Sequence, residues 1–328
     1  MSEKLAIEAQ LFSISGVIAV KVTDSVVKGW TSKPELIPET IMGRKVEVYY
    51  TPPIKPLAYV TYRPMAASEE KRTAKWRPCP GGVSIGCLGT GGAGTLACRV
   101  FDLDGRKLLL SNFHVFTPRG EIDTVIVQPG EYDGGTEADK IGLGKRYVPI
   151  VFNSLAARNY ADAAVAEPFS QEDLADEILD IGVVSEVTTV EAGDVVTKSG
   201  RSCGTKSGKV LETGVTVRVD GYYQGYAVFV NQIVTEPLLM PGDSGSLGVK
   251  DGKAFGLGFA GSTEASVFSP IKYVLSGLSV SFGEPEVPPE KKRNLNLMLF
   301  APVGLVAGAG LGFSLKKKPK EGWEKWLR

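Results

Sequence analysis

The sequence predicts an all-β protein with many turns. Three observations favour this class: the 328 residues include 39 glycines, valine-rich segments recur along the chain, and short runs alternate between apolar and polar residues. Hydrophobic residues make up 43% of the chain and charged residues 23%, which is typical of globular proteins. A chain of this length is expected to form two domains, or one large domain with additional segments.

Composition and spacing indicate neither nucleic acid nor a metal ion as a partner. Basic and acidic residues each number 37, so the chain has no overall basic field. The four cysteines lack the C-x-x-C spacing of zinc sites. Asp133, Glu137 and Asp139 cluster in one turn, but their spacing does not fit a calcium-binding loop. A disulfide bond between Cys79 and Cys87, the pair closest in sequence, is the less favoured alternative to free thiols.

Residues 1–64 predict a small N-terminal α/β segment. Its apolar run, residues 11–20, lacks the basic start and the cleavage site of a signal peptide. A strand over residues 14–22 is the better interpretation. Residues 35–39 predict a turn or a short helix, and residues 45–50 alternate like a second strand.

Residues 89–94 match the pattern G-x-G-x-x-G of dinucleotide-binding sites. Such a site requires a strand before the glycines and a helix after them. Instead, residues 95–101 and 107–110 predict two short strands that flank an Asp-Gly turn, which is a hairpin signal. The glycines are therefore interpreted as a loop.

The stretch M-P-G-D-S-G-S-L, residues 240–247, is the most informative one for function. Ser244 lies between two glycines, and glycine allows a tight turn that directs consecutive amides at one point. If the amides of Gly242 and Ser244 converge, they form an oxyanion hole for acyl transfer. A glycine-rich β-turn without a catalytic role is the alternative interpretation.

A serine nucleophile needs a base and a third group that orients the base. His114 is the only histidine of the chain. Asp162 is a carboxylate that enters an apolar run, where burial is costly without a partner. Singly, a lone histidine is more often structural and a lone aspartate more often lies at the surface. The three residues together, in the order His114, Asp162, Ser244, favour a catalytic triad.

Three motifs of the chain resemble the active-site motifs of trypsin-like serine peptidases of the chymotrypsin fold. They are S-N-x-H-V around His114, N-Y-x-D-A-A-V-A around Asp162, and P-G-D-S-G-S-L around Ser244. Residues 80–86 and 128–136 are similar to the bacterial, phage and archaeal branch of that family.

The resemblance extends from about residue 78 to about residue 280 and implies two six-stranded antiparallel β-barrels. It also implies a serine endopeptidase in which His114 is the general base, Asp162 orients it and Ser244 is the nucleophile, with no cofactor. Secreted relatives usually carry disulfides near the catalytic histidine and serine. No cysteine lies close to either residue here, which favours a reducing compartment.

The resemblance further implies which residues bind a peptide substrate. In the family, the strand after the nucleophile runs along the substrate backbone, and Ala260, Gly261 and Ser262 are small enough for such pairing. Six positions before the nucleophile, where a basic-specific enzyme has an aspartate, the chain has Leu238. We therefore expect cleavage after medium-sized apolar residues, unless Glu236 forms the floor of the pocket instead.

The composition changes abruptly after the protease domain, which is predicted over residues 65–282. A Pro/Glu/Lys linker, residues 283–294, precedes an uncharged segment that begins at Leu295 and ends at Leu315. As a helix this segment would be about 32 Å long, against a hydrocarbon core of about 30 Å. Basic clusters flank it, the second within the tail of residues 316–328. The pattern predicts a transmembrane helix, with a buried core helix as the alternative.

These features together predict a membrane-anchored serine endopeptidase. Gly304, Gly308 and Gly312 lie on one face of the predicted span and could pair two such helices in a dimer. Without a signal peptide or expected disulfides, we predict a single-pass C-terminal anchor with the protease domain in the cytoplasm. The alternative function is a catalytically dormant, membrane-anchored scaffold that binds peptides in the same cleft.

Overall fold

The computed structural model describes residues 2–57 and 72–285, which lie in one compact unit. As predicted, strands dominate. In chain order the strands are β1 (Val17–Val22), β2 (Val26–Thr31), β3 (Thr40–Ile41), β4 (Arg44–Tyr50), β5 (Lys55–Pro56), β6 (Cys79–Gly81), β7 (Ser84–Cys87), β8 (Gly94–Thr95), β9 (Cys98–Phe101), β10 (Lys107–Ser111), β11 (Val125–Val127), β12 (Lys140–Tyr147), β13 (Ala164–Pro168), β14 (Leu174–Ile178), β15 (Gly182–Val183), β16 (Val195–Gly200), β17 (Gly204–Tyr222), β18 (Gly225–Thr235), β19 (Leu247–Lys250), β20 (Lys253–Gly261) and β21 (Ser266–Pro270).

The helices are short. The α-helices with bounds inside the described residues are α1 (Glu3–Phe12), α2 (Phe113–Phe116) and α3 (Ile271–Leu278), and the 3-10 turns are Pro34–Leu36, Glu131–Asp133, Glu137–Asp139 and Gln171–Asp173. The sequence did not predict α1. The Ser2 hydroxyl caps this helix by accepting a hydrogen bond from the Leu5 amide at 3.4 Å. Ile7 and Leu11, one turn apart, are fully buried, so tertiary packing stabilises the helix.

The N-terminal segment continues a sheet that is formed mainly by later strands. β1 pairs antiparallel with β17, with Ala19 opposite Val217, and β2, β4 and β3 follow β1 in order. Glu8 of α1 is buried and accepts a hydrogen bond from the Thr216 hydroxyl at 3.0 Å. The pairing of β1 with β17 and this buried hydrogen bond therefore connect residues 2–57 to the rest of the described chain.

Six strands of this sheet close into a ring. Their order is β16, β19, β20, β21, β18 and β17, and β17 pairs back with β16 along six residue pairs. The extra strands from the N-terminal segment add to this ring at β17. One of the two predicted six-stranded barrels is therefore recognisable as a closed set of pairings.

The other main sheet differs from the predicted six-stranded barrel. It contains seven strands in the order β8, β7, β11, β12, β13, β10 and β9, and no pairing joins β8 to β9 within the described residues. The extra strand is β8, which forms because the glycine-rich loop before it turns the chain back onto β7. The hairpin prediction is confirmed, since β9 and β10 pair with Phe101 opposite Lys107. A smaller sheet contains β15, β14 and β6.

The predicted membrane localisation is wrong for the helices that the structure describes. Within residues 2–57 and 72–285 no helix is both long and apolar enough to cross a membrane. The longest, α1, has 10 residues and measures about 15 Å, half of a hydrocarbon core of about 30 Å. The segment from Leu295 to Leu315 on which the prediction relied lies outside the described residues, as do Gly304, Gly308 and Gly312 within it and the basic tail that follows.

The cysteines are free thiols, so the alternative disulfide bond is not formed. Cys79 lies in the three-stranded sheet and Cys87 in the seven-stranded one. Burial raises the pKa of Cys79 to about 12 and that of Cys87 to about 11. Both thiols therefore stay protonated and unreactive at neutral pH.

Candidate active site

The three motif residues are positioned by strands that share one hydrophobic core. His114 follows β10, Asp162 precedes β13, and Ser244 precedes β19. Side chains from these strands, Leu110, Val165 and Leu247, are buried in the same apolar cluster. Because β10 and β13 are antiparallel neighbours, the end of one strand and the start of the other lie at the same edge.

His114 and Asp162 form a buried pair. Nδ1 of the imidazole lies 2.6 Å from Oδ2 of the carboxylate, and the His114 amide donates to Oδ1 at 3.3 Å. Asp162 is fully buried and His114 is almost so. The Asn112 side chain donates to the Asp162 carbonyl oxygen at 2.7 Å, which holds the two segments together. The other ring nitrogen, Nε2, is buried and finds no hydrogen-bond partner among the described residues.

Tyr222 is a third member of this group that the sequence analysis missed. Its hydroxyl donates to Asp162 Oδ2 at 2.7 Å. Burial, and next the Asp162 carboxylate, raise the pKa of Tyr222 well above its usual value, so the phenol keeps the proton that it donates. Tyr222 ends the 19-residue strand β17, far from every motif, and no local pattern marks it.

The Gly-Asp-Ser-Gly turn requires its glycines. Gly242 and Gly245 have φ values of +97° and +96°, in the left-handed region. A Cβ on Gly245 would lie 2.0 Å from the Thr95 carbonyl oxygen. Thr95 also holds the turn, because its amide donates to the Ser244 carbonyl oxygen at 2.7 Å and its hydroxyl to the Gly242 carbonyl oxygen at 2.9 Å.

A buried ion pair stabilises the Gly-Asp-Ser-Gly turn through Asp243. Asp243 Oδ2 lies 2.9 Å from the Lys198 ammonium, and both side chains are fully buried. Oδ1 accepts from the Ser202 amide at 2.7 Å, and Oδ2 accepts from the Met240 amide at 3.0 Å. Although burial opposes ionisation, Lys198, the Cys203 thiol, which donates to Oδ2 at 2.8 Å, and the Met240 amide hold the pKa of Asp243 below its usual value. Lys198 lies in no motif, so no sequence pattern identifies it.

The hydroxyl of Ser244 is engaged by neighbours other than the imidazole. Oγ donates to the Phe259 carbonyl oxygen at 3.1 Å and accepts from the Leu57 amide at 3.0 Å. No hydrogen bond joins Ser244 and His114 within the described part of the chain. Ser244 is fully buried because the end of the N-terminal segment covers it.

One of the two predicted oxyanion donors contacts a carbonyl group. The Gly242 amide donates to the Leu57 carbonyl oxygen. The Ser244 amide, the other predicted donor, makes no hydrogen bond to the Leu57 carbonyl oxygen among the described residues.

The predicted substrate-binding residues lie around the same segment. Ala260 and Gly261 of β20 pair with the two residues of β5. Leu238 is buried in an apolar cluster that includes Leu57. Ser262 lies beyond the paired residues in a tight turn, where its amide donates to the Ala265 carbonyl oxygen at 2.9 Å.

Glu236, the alternative floor of the pocket, is engaged elsewhere. Its carboxylate accepts a hydrogen bond from the Lys209 amide at 2.8 Å. Leu238, two residues later, is 1% exposed. The structure therefore brings Leu238, rather than Glu236, into the apolar cluster.

The acidic cluster of residues 133–139 consists of separate ion pairs. Asp133 binds the Arg201 guanidinium, with Oδ2 lying 2.8 Å from Nε. Asp139 pairs with Lys75 at 2.8 Å. Glu137 pairs with Lys140, so each of the three carboxylates already has a cationic partner.

Comparisons with known proteins find similarity in structure only. No protein-family model matches the chain, and no curated protein sequence matches it. The chain resembles bacterial chymotrypsin-fold serine proteases in solved structures.

Three of these structures illustrate the resemblance. A Nocardiopsis protease is 19% identical, with 62% of this chain and 97% of that chain covered at a TM-score of 0.45. Thermobifida fusca protease A is 17% identical, with 62% and 96% covered and a TM-score of 0.46. A Cellulomonas bogoriensis chymotrypsin is 16% identical, with 63% and 98% covered and a TM-score of 0.44. At these identities and TM-scores the likeness assigns no role to any residue of this chain.

Proposed function

We propose that the protein is a serine endopeptidase with His114, Asp162 and Ser244 as its catalytic residues. The observation that carries this proposal is the position of the Leu57 backbone, whose amide contacts Ser244 Oγ and whose carbonyl oxygen contacts the Gly242 amide. The buried pair of imidazole and carboxylate lies on strands that share a core with the serine turn.

In the proposed reaction, Ser244 Oγ attacks a peptide carbonyl carbon and its proton passes to His114 Nε2. Asp162 holds the imidazole with Nδ1 protonated and stabilises the cation that forms. The Gly242 amide donates to the developing oxyanion, and the Ser244 amide is proposed as the second donor. The imidazolium then protonates the leaving amine, and water releases the acyl group. Before attack, Oγ must leave its hydrogen bond to Phe259.

The proposed specificity is for an apolar residue before the scissile bond. Leu238 forms the apolar floor, Ala260 and Gly261 pair with the substrate backbone once β5 has left them, and Ser262 closes the strand at its end. A lysine or arginine in this pocket would lose its hydration without gaining a partner.

A peptide-binding scaffold without catalysis is the second candidate function. It is favoured by one observation. Among the described residues, Ser244 Oγ is hydrogen-bonded to the Phe259 carbonyl oxygen and the Leu57 amide, and not to His114. A fluorophosphonate probe separates the two candidates, because only an activated serine reacts with it.

We expect the probe to label Ser244, identified by mass spectrometry of the peptide that contains residues 240–247. Ser244→Ala should abolish labelling and peptide hydrolysis, and His114→Ala should be nearly as severe. Asp162→Asn should lower kcat by about 10⁴-fold, since the members of a triad act as a unit. Ser185→Ala, at an exposed serine, is the matched control. Undiminished hydrolysis by folded Ser244→Ala protein would contradict the proposal.

A further inference from the structure

Three side chains outside the candidate triad connect the seven-stranded sheet to the serine turn. Asp133 lies in a 3-10 turn between β11 and β12 of that sheet, and Arg201 and Ser202 directly follow β16 of the ring. The side chains of Asp133 and Arg201 are 2% and 5% exposed, and Ser202 is also buried. Buried charges are stable only when they are paired, and these two form one ion pair across the two sheets.

Arg201 binds the Asp133 carboxylate with two of its nitrogens. Nε lies 2.8 Å from Oδ2, and Nη2 contacts Oδ1. A bidentate pair of this kind fixes the plane of the guanidinium as well as its position. The third nitrogen, Nη1, donates to the Ser202 hydroxyl oxygen at 2.8 Å. The ion pair therefore determines where this donor lies.

The direction of the Ser202 hydroxyl proton follows from its neighbours. A guanidinium only donates hydrogen bonds, so Ser202 Oγ accepts from Arg201. A carbonyl oxygen only accepts, so the hydroxyl donates its proton to the Pro241 carbonyl oxygen, 2.6 Å away. The chain of donors thus runs in one direction, from Arg201 through Ser202 to Pro241.

The Pro241 carbonyl group belongs to the same peptide unit as the Gly242 amide, the candidate oxyanion donor. This peptide is trans, so its C=O and N–H bonds point in opposite directions. Because Ser202 holds the oxygen on one side, the N–H points to the other side, where it contacts the Leu57 carbonyl oxygen. A Cβ on Gly242 would lie 2.2 Å from Ser202 Oγ, so a larger residue would displace the hydroxyl.

The next peptide unit, which contains the Gly242 carbonyl group, is held by the same segment. The Arg201 amide donates to Thr95 Oγ1 at 3.0 Å, and the Thr95 hydroxyl donates to the Gly242 carbonyl oxygen at 2.9 Å. Hydrogen-bond chains that begin at Arg201 therefore reach the peptide units on both sides of the Gly242 Cα atom. The conformation of the oxyanion donor thus depends on the position of one arginine.

We propose that Ser202 is a positioning residue for the Gly242 amide and that Asp133 and Arg201 orient its hydroxyl. The proposal rests on the serine endopeptidase function proposed above and deepens it. Donors that are already oriented need no reorganisation when the oxyanion forms. Without the Ser202 hydroxyl, the peptide between Pro241 and Gly242 can rotate, which weakens binding of the transition state and not of the substrate.

The test measures hydrolysis of a leucine peptide and inhibition by a leucine trifluoromethyl ketone, whose adduct with serine carries an oxyanion. Ser202→Ala should lower kcat by about 10- to 100-fold, less than the roughly 10²- to 10³-fold loss on removal of an oxyanion donor. KM should stay nearly unchanged. The inhibition constant of the ketone should rise by the factor by which kcat/KM falls, as for a transition-state analogue. A smaller folded fraction would instead leave that constant unchanged.

A conservative variant and a matched control accompany Ser202→Ala. Ser202→Thr keeps a hydroxyl and should recover most of the wild-type kcat. Ser199 in β16 is also buried and accepts from the Arg72 guanidinium at 2.8 Å, but among the described residues it does not contact the peptide of Pro241 and Gly242. Ser199→Ala should therefore keep the wild-type kcat and inhibition constant. Circular dichroism melts establish that each variant is folded.

Arg201→Lys tests the same inference if Ser202→Ala does not fold. The lysine keeps a positive charge beside Asp133, but its single nitrogen does not reproduce the fork that binds Asp133 and Ser202 together. This variant should also lower kcat and raise the inhibition constant of the ketone, with KM nearly unchanged.

The outcomes separate this inference from the proposed function. If wild-type protein hydrolyses the peptide and folded Ser202→Ala keeps its kcat and inhibition constant, the positioning role is wrong and the endopeptidase function stands. A loss that lies entirely in KM, or no recovery in folded Ser202→Thr, would also overturn the positioning role. If folded wild-type protein neither hydrolyses the peptide nor reacts with the fluorophosphonate probe, the endopeptidase function is wrong and the positioning role fails with it.

Discussion

Tyr222 shows how a single buried hydroxyl can support the candidate triad from outside it. Its donation to Asp162 Oδ2, at 2.7 Å, leaves that oxygen shared between a phenol and the His114 imidazole. Tyr222 acts through the Asp162 carboxylate to which it donates, so we regard it as a positioning residue. Its contribution should appear in the turnover step rather than in binding.

Tyr222→Phe should lower kcat by about 10-fold and leave KM nearly unchanged. The substitution removes one hydrogen bond to a buried carboxylate, so it should also cost about 1.5–3 kcal/mol of the free energy of unfolding. Steady-state kinetics and urea denaturation measure the two effects. Tyr50→Phe, at a tyrosine that is 66% exposed, is the control. An unchanged kcat in Tyr222→Phe would exclude a positioning role.

Removing the cation from the buried pair of Lys198 and Asp243 should lower the free energy of unfolding. Lys198→Met leaves an uncompensated charge beneath the serine turn and should cost about 3–5 kcal/mol of unfolding free energy. Lys250→Met is the matched control, because the side chains of Lys250 and Asp194 are 29% and 26% exposed and a smaller change is expected. Equal destabilisation in the two variants, measured by urea denaturation, would contradict this prediction.

The same pair predicts how stability depends on pH. The folded pKa of Asp243 is below its ordinary value of 3.8. Below pH 3.8 the unfolded chain therefore binds a proton first, and stability falls with pH until the folded carboxylate is also protonated. Asp243→Asn should show a shallower loss of unfolding free energy in this acid range. An identical acid profile would mean that Asp243 does not contribute to it.

At the scale of elements, the edge of β20 should control which side chain is accepted. A Cβ on Gly261 would lie 3.0 Å from the Ala265 carbonyl oxygen and 3.3 Å from Leu57 Cδ1. Gly261→Val should therefore lower kcat/KM for leucine peptides by about 10- to 100-fold, as burial of a leucine is worth roughly 1.5–3 kcal/mol. Peptides with alanine at that position should be affected less.

Gly29→Val is the control for the β20 prediction. Among the described residues, a Cβ on Gly29 in β2 would meet only Val46 Cγ1, at 4.0 Å. A variant at Gly29 should therefore keep the wild-type ratio of leucine to alanine hydrolysis. Equal losses for both peptides in Gly261→Val would indicate damage to the fold and not to the pocket.

At the scale of the whole molecule, no disulfide bond joins any of the four cysteines of the chain. All four cysteines are free, and burial raises the pKa of Cys98 to about 12 and that of Cys203 to about 11. Reductant should therefore leave the melting temperature unchanged, and at neutral pH a thiol reagent should react with the buried Cys79, Cys87 and Cys98 only after unfolding. Fast reaction of these three thiols in native protein would contradict their burial.

The sequence by itself determined what depends on local chemistry. The all-β class, the hairpin before His114 and the glycine-flanked turn of Ser244 follow from residue type and spacing over a few positions. The same reasoning left out α1, whose helix depends on burial of Ile7 and Leu11 against distant strands. It also led to a membrane localisation that the described helices do not support.

Only the tertiary structure decided which distant residues complete the site. Tyr222 is 60 positions from Asp162, and Leu57 is 187 positions from Ser244. Contacts over such separations are formed by strand pairing, so they leave no spacing pattern in the sequence. Lys198 reaches Asp243 for the same reason, because β16 pairs with β19 next to the serine turn. The motif residues are thus recognisable from local sequence, whereas their contacts with Tyr222, Leu57 and Lys198 depend on how the strands pair in the sheets.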